Sequence, residues 1–180
     1  MSSVIRVDAI QNQSGTSSMT IDSNGRVSQP DAVKILFSAR VTNDIGVNVI
    51  SNAGASQSIF TTSSPGNGLT VDVDTASAFN GSSGEYTIPV TGHYRISYGV
   101  TKAGNAATVM HFDIYTNGTR GNSAGVPKRA RANEGNSPYS TAFVSFIDKF
   151  SANDVLTLRA HGNAGILATH NGDWTIEFLG

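Results

Sequence analysis

The chain has 180 residues, a formal net charge of −1 at pH 7 and no cysteine. Only 14% of its residues are charged, against roughly 25% in an average soluble domain. The absence of cysteine excludes disulfides and thiolate metal sites. The net charge provides no overall attraction to nucleic acid or to an anionic membrane. The length fits one globular domain with an appendage.

The first thirty residues carry a strand pattern of their own. Residues 4–10 alternate as an extended strand does, residues 18–21 form a second extended run, and the SNG motif at 23–25 is a hairpin signal. Pro30 ends the unit, so we predict a β-hairpin arm over residues 1–30. Because two short strands are marginally stable alone, the arm is expected to dock onto a partner. Its candidate docking residues are Ile5, Val7, Ile10 and Ile21.

The head is expected to occupy residues 31–180 as one domain. Its opening strand is predicted at residues 35–40, ILFSAR, and another at residues 69–73. The second of these lies inside a loop-rich region at residues 51–83, and residues 117–140 form another long connection. Long loops on a rigid β scaffold often carry contacts with partners.

Two extended runs are predicted in the centre of the head, at residues 79–98. The segment reads FNGSSGEYTIPVTGHYRISY. In its second half, Tyr94, Ile96 and Tyr98 alternate with other residues, which is the period of a half-buried strand. Pro89 marks the turn between the two runs, because proline fixes φ.

The next strand is predicted at residues 110–116, MHFDIYT. Its apolar residues are expected to face the core, and they alternate with His111, Asp113 and Tyr115, which are therefore expected to point outwards. An Asn-Gly dipeptide follows at residues 117–118. That dipeptide is typical of a tight turn between two strands.

The last part of the head predicts a strand pair at residues 140–160, split by a turn at Asn153-Asp154, and a closing strand at residues 174–180. Within the pair, residues 142–147 read AFVSFI and carry apolar groups on both faces of the strand. A strand buried on one side alone would leave its other face polar. One face is therefore expected to fill the sandwich and the other to pack against a partner subunit.

The motif at residues 79–98 resembles the signature of the complement-recognition head and tumour-necrosis-factor superfamily, and the predicted opening, late and closing strands are similar to those of that family. The resemblance covers residues 33–180. It implies an all-β jelly-roll sandwich that assembles as a homotrimer. The family's trimer contact uses the sheet built from its first, third, late and last main strands. The corresponding interface candidates are Leu36, Tyr98, Phe146 and Phe178.

The arm resembles the N-terminal segments of many virion proteins of tailed bacteriophages, through the phrases RVDAIQNQSG, TID and SNGRV. Those segments couple a trimeric head to a particle or to a shaft. Together, the two resemblances imply a homotrimeric virion protein that is assembled in the host cytoplasm. Its expected partners are other virion proteins.

Three functions are compatible with these resemblances. The first is decoration, or cementing, of the capsid, with the major capsid protein as partner. The short chain favours this function, because a host-recognition fibre normally needs a long shaft. The second is a short tail fibre or spike, attached to a tail adaptor, whose head binds a host surface glycan. The third is a bacterial or secreted trimeric recognition domain unrelated to virions.

Motifs for catalysis and for cofactors are missing from the sequence. It has no G-x-S-x-G, no H-E-x-x-H, no P-loop and no G-x-G-x-x-G followed by a helix pattern. The four histidines lie far apart and lack the spacing of a zinc site. Asp72 and Asp74 have two interpretations, a calcium site or a solvent-facing strand edge, and two carboxylates alone favour the second. We predict neither an enzyme nor a bound metal or cofactor.

One basic cluster is present, formed by Lys128, Arg129 and Arg131 on the connection at residues 117–140. It has two interpretations: electrostatic docking onto an acidic surface such as a shell protein, or a solvated loop. No aromatic residue interleaves with these charges, so nucleic-acid binding is not predicted. No apolar run approaches the roughly 20 residues of a membrane span, and the N-terminus lacks the apolar core of a signal peptide.

Overall fold

The computed structural model describes residues 9–11, 17–21, 27–28, 35–42, 57–62, 68–103, 110–120, 129–132, 139–162 and 168–180. Every regular element in these ranges is a β-strand, which confirms the prediction of an all-β protein. The described part of the chain contains no helix with the length and apolarity needed to span a membrane.

The strands are β1 (Ala9–Gln11), β2 (Ser17–Ile21), β3 (Val27–Ser28), β4 (Leu36–Thr42), β5 (Gln57–Ser58), β6 (Gly68–Asp74), β7 (Phe79–Asn80), β8 (Glu85–Thr87), β9 (Gly92–Ala103), β10 (Met110–Thr116), β11 (Thr119–Arg120), β12 (Arg129–Ala132), β13 (Tyr139–Phe150), β14 (Val155–Gly162) and β15 (Ala168–Phe178).

The chain divides into two compact units, residues 1–34 and residues 35–180. In the first unit, β1, β2 and β3 form an antiparallel sheet in that order, with Ile21 opposite Val27. The strand predicted at residues 18–21 is present as β2. The start of the first predicted strand and the SNG turn lie outside the described residues.

The second unit contains two antiparallel sheets. Sheet I has the strand order β13-β9-β15-β4-β6, and sheet II has the order β11-β10-β14-β8-β7, with β12 also paired with β10 and β5 with β14. Neighbouring strands are mostly distant in sequence: β9 lies between β13 and β15, and β14 lies between β10 and β8. This connectivity is that of a jelly-roll sandwich, as predicted.

The core between the sheets is built around aromatic rings. The ring centroid of Phe37 in sheet I lies 5.0 Å from that of Tyr86 in sheet II and 5.3 Å from that of Trp174. Phe60 and Phe79 also contact Trp174, with centroids 5.7 and 6.3 Å apart. Tilted and edge-on arrangements of this kind add to the free energy gained from burial alone. The aromatic cluster therefore joins the two sheets.

The pairing register of sheet I decides which residues reach this core. Phe146, Ile96, Ile176 and Phe37 lie opposite one another in a row across four strands. Residues directly opposite each other in an antiparallel sheet share a face, and Ile96, Ile176 and Phe37 are fully buried. The row therefore faces inwards, and the residues between its positions form the outward face of sheet I.

Two turns are locked together at one end of the sandwich. Asn117 and Gly118 have φ angles of 51° and 74°, the left-handed pair of a type I′ hairpin, which confirms the turn predicted there. Asn117 Nδ2 donates to Asp154 Oδ1 at 2.8 Å, and the N–H of Val155 donates to Asn117 Oδ1 at 2.8 Å. The N–H of Ser151 donates to Asp154 Oδ2 at 2.8 Å. The turn after β10 thus holds the turn after β13.

Two buried tyrosines test this core, because their hydroxyl groups differ. The hydroxyl of Tyr98 donates to the carbonyl oxygen of Phe112 at 2.7 Å, whereas the hydroxyl of Tyr86 is buried without a hydrogen-bond partner. Tyr98→Phe is expected to lower the free energy of unfolding by about 1 kcal/mol. Tyr86→Phe is expected to leave it unchanged or raise it, because an unpaired buried hydroxyl carries a desolvation cost. Denaturant unfolding at one protein concentration measures the free energy of unfolding of both variants. Equal losses of this free energy in the two variants would contradict the hydrogen bonding assigned to the two hydroxyl groups.

Candidate functional site

The outward face of sheet I carries exposed apolar side chains. Phe143 is 67% exposed, Ile147 is 54% exposed and Leu36 is 37% exposed. We call these three residues the apolar patch. Ile147 and Leu36 are the two ends of one row across the sheet, with Arg95 and Glu177 between them, and Phe143 lies opposite Gly99. Apolar area of this kind on a folded head is typical of a surface that another chain covers.

The strand that carries two of these residues is also an edge strand of sheet I. β13 is 12 residues long, and among the described strands it pairs with β9 alone. A long edge strand with exposed apolar side chains favours association with other chains unless something covers it. The β13 side of sheet I is therefore a candidate for contact with another subunit.

The polar residues of this face are paired within the protomer. Arg95 Nη1 contacts Glu177 Oε2 at 2.8 Å, and the hydroxyls of Ser97 and Ser145 lie 2.7 Å apart. A polar group that already has a partner loses less on desolvation than one that would be left unpaired. A covering surface therefore leaves none of these four groups without a partner, and the desolvation of the Arg95–Glu177 ion pair is the cost of covering it.

Asp173 is the charged residue next to Gly99 on the same face. A Cβ atom at Gly99 would lie 3.2 Å from Asp173 Oδ1, so the glycine lets the carboxylate lie close to the sheet. Burial raises the pKa of Asp173 above its ordinary value, and a backbone hydrogen bond at Gly99 offsets part of the increase. An acid with a higher pKa in the folded state binds its proton more tightly when folded. The protonated carboxyl group therefore favours the folded state at low pH. This stabilisation is lost as the pH rises from the ordinary pKa of the unfolded chain through the raised pKa of the folded chain.

Asp173→Asn is expected to remove that pH dependence. The unfolding free energy of the variant relative to the native chain should increase as the pH rises from about 3 to about 7, because only the native chain then carries the partly buried charge. Denaturant unfolding at several pH values and constant ionic strength measures the difference. If the unfolding free energies of the two proteins changed with pH in parallel, the pH dependence assigned to the Asp173 carboxylate would be contradicted.

The four residues predicted for the trimer contact do not share a face. Leu36 lies outward and is exposed. Tyr98 is fully buried and hydrogen-bonded in the core, so its prediction as an interface side chain is wrong. Phe146 and Phe178 are half-buried and pack against the core. The physical reason is the period of a strand: an error of one residue moves every side chain to the other face.

The sequence contained the signal for the residues that were missed. The AFVSFI segment predicted apolar groups on both faces, and the structure confirms this, since Ala142 is buried while Phe143 and Ile147 are exposed. What the segment left open was which set faces outwards. Phe143 and Phe146 have the same side chain, so composition does not distinguish them.

The predicted docking residues of the arm are only partly described. Ile10 lies in β1 and Ile21 lies in β2. Ile5 and Val7 lie outside the described residues, as does Lys128 of the basic cluster. The arm residues remain predictions for docking.

The other two residues of the basic cluster are placed in a strand. Arg129 and Arg131 belong to β12, where they lie opposite Asp113 and His111 of β10. These two arginines lie in a strand and not in a loop, and the connection predicted over residues 117–140 is interrupted by β11 and β12. Docking of the cluster onto an acidic surface stays a prediction. The sequence missed β12 because RARA lacks the apolar alternation of a half-buried strand.

The two aspartates considered for calcium have other partners. Asp72 forms an ion pair with Arg40 at 3.4 Å. Asp74 accepts hydrogen bonds from the N–H groups of Ala78 and Phe79 at 3.1 and 2.9 Å, which stabilises the turn after β6. Within the residues that the structure describes, His, Cys, Asp and Glu form no group of three or more that could hold a metal ion.

The fold is similar to that of two kinds of solved structure. The globular domain of zebrafish complement 1qA protein gives a TM-score of 0.54 at 14% sequence identity, over 81% of this chain and 97% of that one. Murine APRIL, in its crystal structure at pH 5.0, gives 0.53 at 13% identity, over 80% of this chain and 99% of the other. No protein-family model matches the chain, and no curated protein sequence matches it. The likeness establishes the fold and confirms the jelly roll that the motif at residues 79–98 implied.

Proposed function

We propose that this chain is a non-enzymatic structural protein that assembles as a homotrimer through the outward face of sheet I and decorates the capsid of a tailed bacteriophage. The observation that carries the assembly is the exposed apolar patch of Phe143, Ile147 and Leu36. The virion role is supported by the sequence of the arm, which resembles virion segments that couple a trimeric head to a particle.

Burial of the apolar patch provides the driving force for assembly. Complete burial of a Phe or Ile side chain is worth about 1.5–3 kcal/mol relative to exposure. In a closed ring every subunit buries one copy of the patch, so no apolar surface remains for further growth. The two edges of sheet I are different strands, β13 and β6, so the proposed contact joins unlike surfaces, as a cyclic ring requires.

The number of subunits is proposed to be three. The motif at residues 79–98 resembles a family whose jelly rolls assemble as trimers, and the fold of the head is similar to that of the complement 1qA globular domain. A trimer presents three copies of any surface around one axis. Three weak contacts made together bind with an avidity that exceeds a single contact by orders of magnitude.

The arm is proposed to provide the contact with the capsid. It is a compact unit separate from the head and consists of three short strands, an arrangement that gains stability from packing against something larger. Three arms on one trimer match a local threefold position of a shell. The major capsid protein is the proposed partner.

The second candidate is a short tail fibre or spike that binds a host surface glycan. A specific observation favours it, namely that Arg120, Arg129, Arg131 and Arg159 lie on strands of sheet II that pair with β10. The two candidates differ in physical effect. A decoration protein stabilises the assembled shell because it binds the intact particle and not the disassembled one, whereas a fibre protein changes adsorption to the host.

Phe143→Asp is expected to prevent assembly. The native chain should sediment as a trimer at micromolar concentration, and the variant as a monomer, because the substitution would place an unpaired charge in a desolvated contact. Val90→Asp is the matched control: Val90 is also exposed, but it lies in the turn before β9 and not in the apolar patch. The proposed trimer would be refuted if sedimentation equilibrium showed that the native chain is monomeric at this concentration.

Deletion of residues 1–34 is expected to separate assembly from attachment. The remaining unit, residues 35–180, should stay folded and trimeric, because it contains the whole of both sheets of the head. Phage particles produced with the truncated protein should lack it and release DNA at a lower temperature, while adsorbing to the host normally. Dye access to packaged DNA and adsorption assays measure the two effects. If the particles kept their thermal stability but failed to adsorb to the host, the result would contradict decoration and support the fibre function.

A further inference from the structure

Three Asn-Gly dipeptides lie entirely within the residues that the structure describes, at residues 80–81, 117–118 and 171–172. Asparagine is a thermolabile residue, and a following glycine makes the loss of its side-chain amide easiest. In that reaction the backbone nitrogen of the glycine attacks Cγ of the asparagine, and a glycine without Cβ leaves the approach open. Because the attack is intramolecular, its rate depends on whether the fold lets the two atoms align.

Asn80 lies in an exposed turn that keeps its side chain beside the following glycine. It is the last residue of β7, and it is exposed. Its Oδ1 accepts a hydrogen bond from the N–H of Ser82 at 3.0 Å, which is the contact of an Asx turn. This hydrogen bond folds the side chain over Gly81 and polarises the carbonyl group that the nitrogen of Gly81 would attack. The partner belongs to the same turn, so it moves with the reacting peptide.

Asn117 is also exposed, but its side chain is bound to a different part of the chain. Its Nδ2 donates to Asp154 Oδ1 at 2.8 Å, and its Oδ1 accepts from the N–H of Val155 at 2.8 Å. The N–H of Asn117 also donates to the carbonyl oxygen of Val155 at 2.8 Å. Attack by the nitrogen of Gly118 requires the side chain to rotate away from Asp154 and Val155. Both side-chain hydrogen bonds must therefore break first, which slows the reaction.

Asn171 precedes a glycine that lies in the middle of sheet I. Gly172 is opposite Val41 on β4 and Val100 on β9, and it is buried. A Cβ atom at Gly172 would lie 3.1 Å from Cγ2 of Val41, so the neighbouring strand packs closely against this peptide. The backbone of a strand that is paired on both sides is fixed by the ladder of hydrogen bonds. The nitrogen of Gly172 is therefore not free to turn towards the side chain of Asn171.

We propose that Asn80 is a site of spontaneous deamidation in the folded protein, whereas the fold protects Asn117 and Asn171. The nitrogen of Gly81 forms a bond with Cγ of Asn80, and the side-chain nitrogen leaves as ammonia with the proton of the Gly81 N–H. A cyclic succinimide remains. Water then opens the ring at either carbonyl group and gives aspartate or isoaspartate, so each event adds a negative charge. The reaction needs only water, and it does not depend on the proposed trimer or on attachment to a virion.

The two products at residue 80 differ in their effect on the head. Aspartate keeps an oxygen that accepts from the N–H of Ser82. Isoaspartate adds a methylene group to the backbone beside Phe79, whose ring centroid lies 4.8 Å from that of Phe37 in the core, so it is expected to disturb the aromatic cluster. At residue 117, either product would place a second carboxylate beside Asp154, and repulsion would replace a hydrogen bond. The protection of Asn117 therefore preserves the paired turns.

Incubation of the full-length chain at mildly alkaline pH, with and without denaturant, tests the proposal. Peptide mapping by tandem mass spectrometry measures the fraction of each asparagine that has been converted to aspartate or isoaspartate. In the native protein, Asn80 should convert several-fold faster than Asn117 and Asn171. In denaturant the three rates should become similar, because each residue is an asparagine followed by glycine and the fold no longer distinguishes them.

A pair of variants tests the protection of Asn117. Asp154→Ala removes the acceptor of the Asn117 amide and should speed the conversion of Asn117 several-fold, while Asn171 keeps its native rate. Asp74→Ala is the matched control, because the Asp74 carboxylate also holds a turn but accepts from the N–H groups of residues 78 and 79. In this control Asn117 should convert at its native rate.

Several outcomes would overturn the proposal. One is an Asn80 that stays intact in the native protein while the denatured chain converts, and another is conversion of Asn117 or Asn171 as fast as that of Asn80. A difference between the three rates that persists in denaturant would show that the fold is not its cause. Equal acceleration at Asn117 by both variants would assign the protection to overall stability and not to Asp154. If Asp154→Ala fails to fold, as circular dichroism would show, the native and denatured rates of the unmodified chain decide.

Discussion

The contact of Phe37 with Tyr86 and Trp174 is the constraint on which the rest of the structure depends. It joins sheet I to sheet II through three fully buried rings whose centroids lie 5.0 and 5.3 Å apart. Aromatic burial of this extent dominates the energetics of a small core. Once these rings face inwards, the alternation of side chains along each strand determines the composition of both outward faces.

The two sheets differ in chemistry, although they belong to one sandwich. Sheet I presents Phe143 and Ile147 among polar groups that are paired with one another. In sheet II the register places Arg129 and Arg159 opposite the buried Asp113, one on each neighbouring strand. An apolar face favours a lasting contact with another copy, because water is released from it.

The fold by itself does not assign a partner. Complement 1qA and APRIL have similar jelly rolls at 14% and 13% identity to this chain, and a fold of this kind serves many functions. What distinguishes this chain is the side chains that its strands place outwards. The arm adds a second unit with its own sheet.

The sequence by itself determined the strands and several turns. The period of two along Tyr94, Ile96 and Tyr98 and along MHFDIYT predicted β9 and β10, and Asn117-Gly118 predicted a turn that the structure contains. These features depend on alternation and on backbone preferences, which are local properties of a few residues. Local information also indicated that β13 is apolar on both sides.

Only the tertiary structure decided which residues of those strands are available to a partner. Tyr98 lies in the core while Phe143 is exposed, because the pairing of β9 with β13 and β15 sets the parity of each strand, and a shift of one residue would reverse it. The structure also placed Arg129 and Arg131 beside Asp113 and His111. That alignment joins residues far apart in sequence through backbone hydrogen bonds between strands, which no local pattern in RARA specifies.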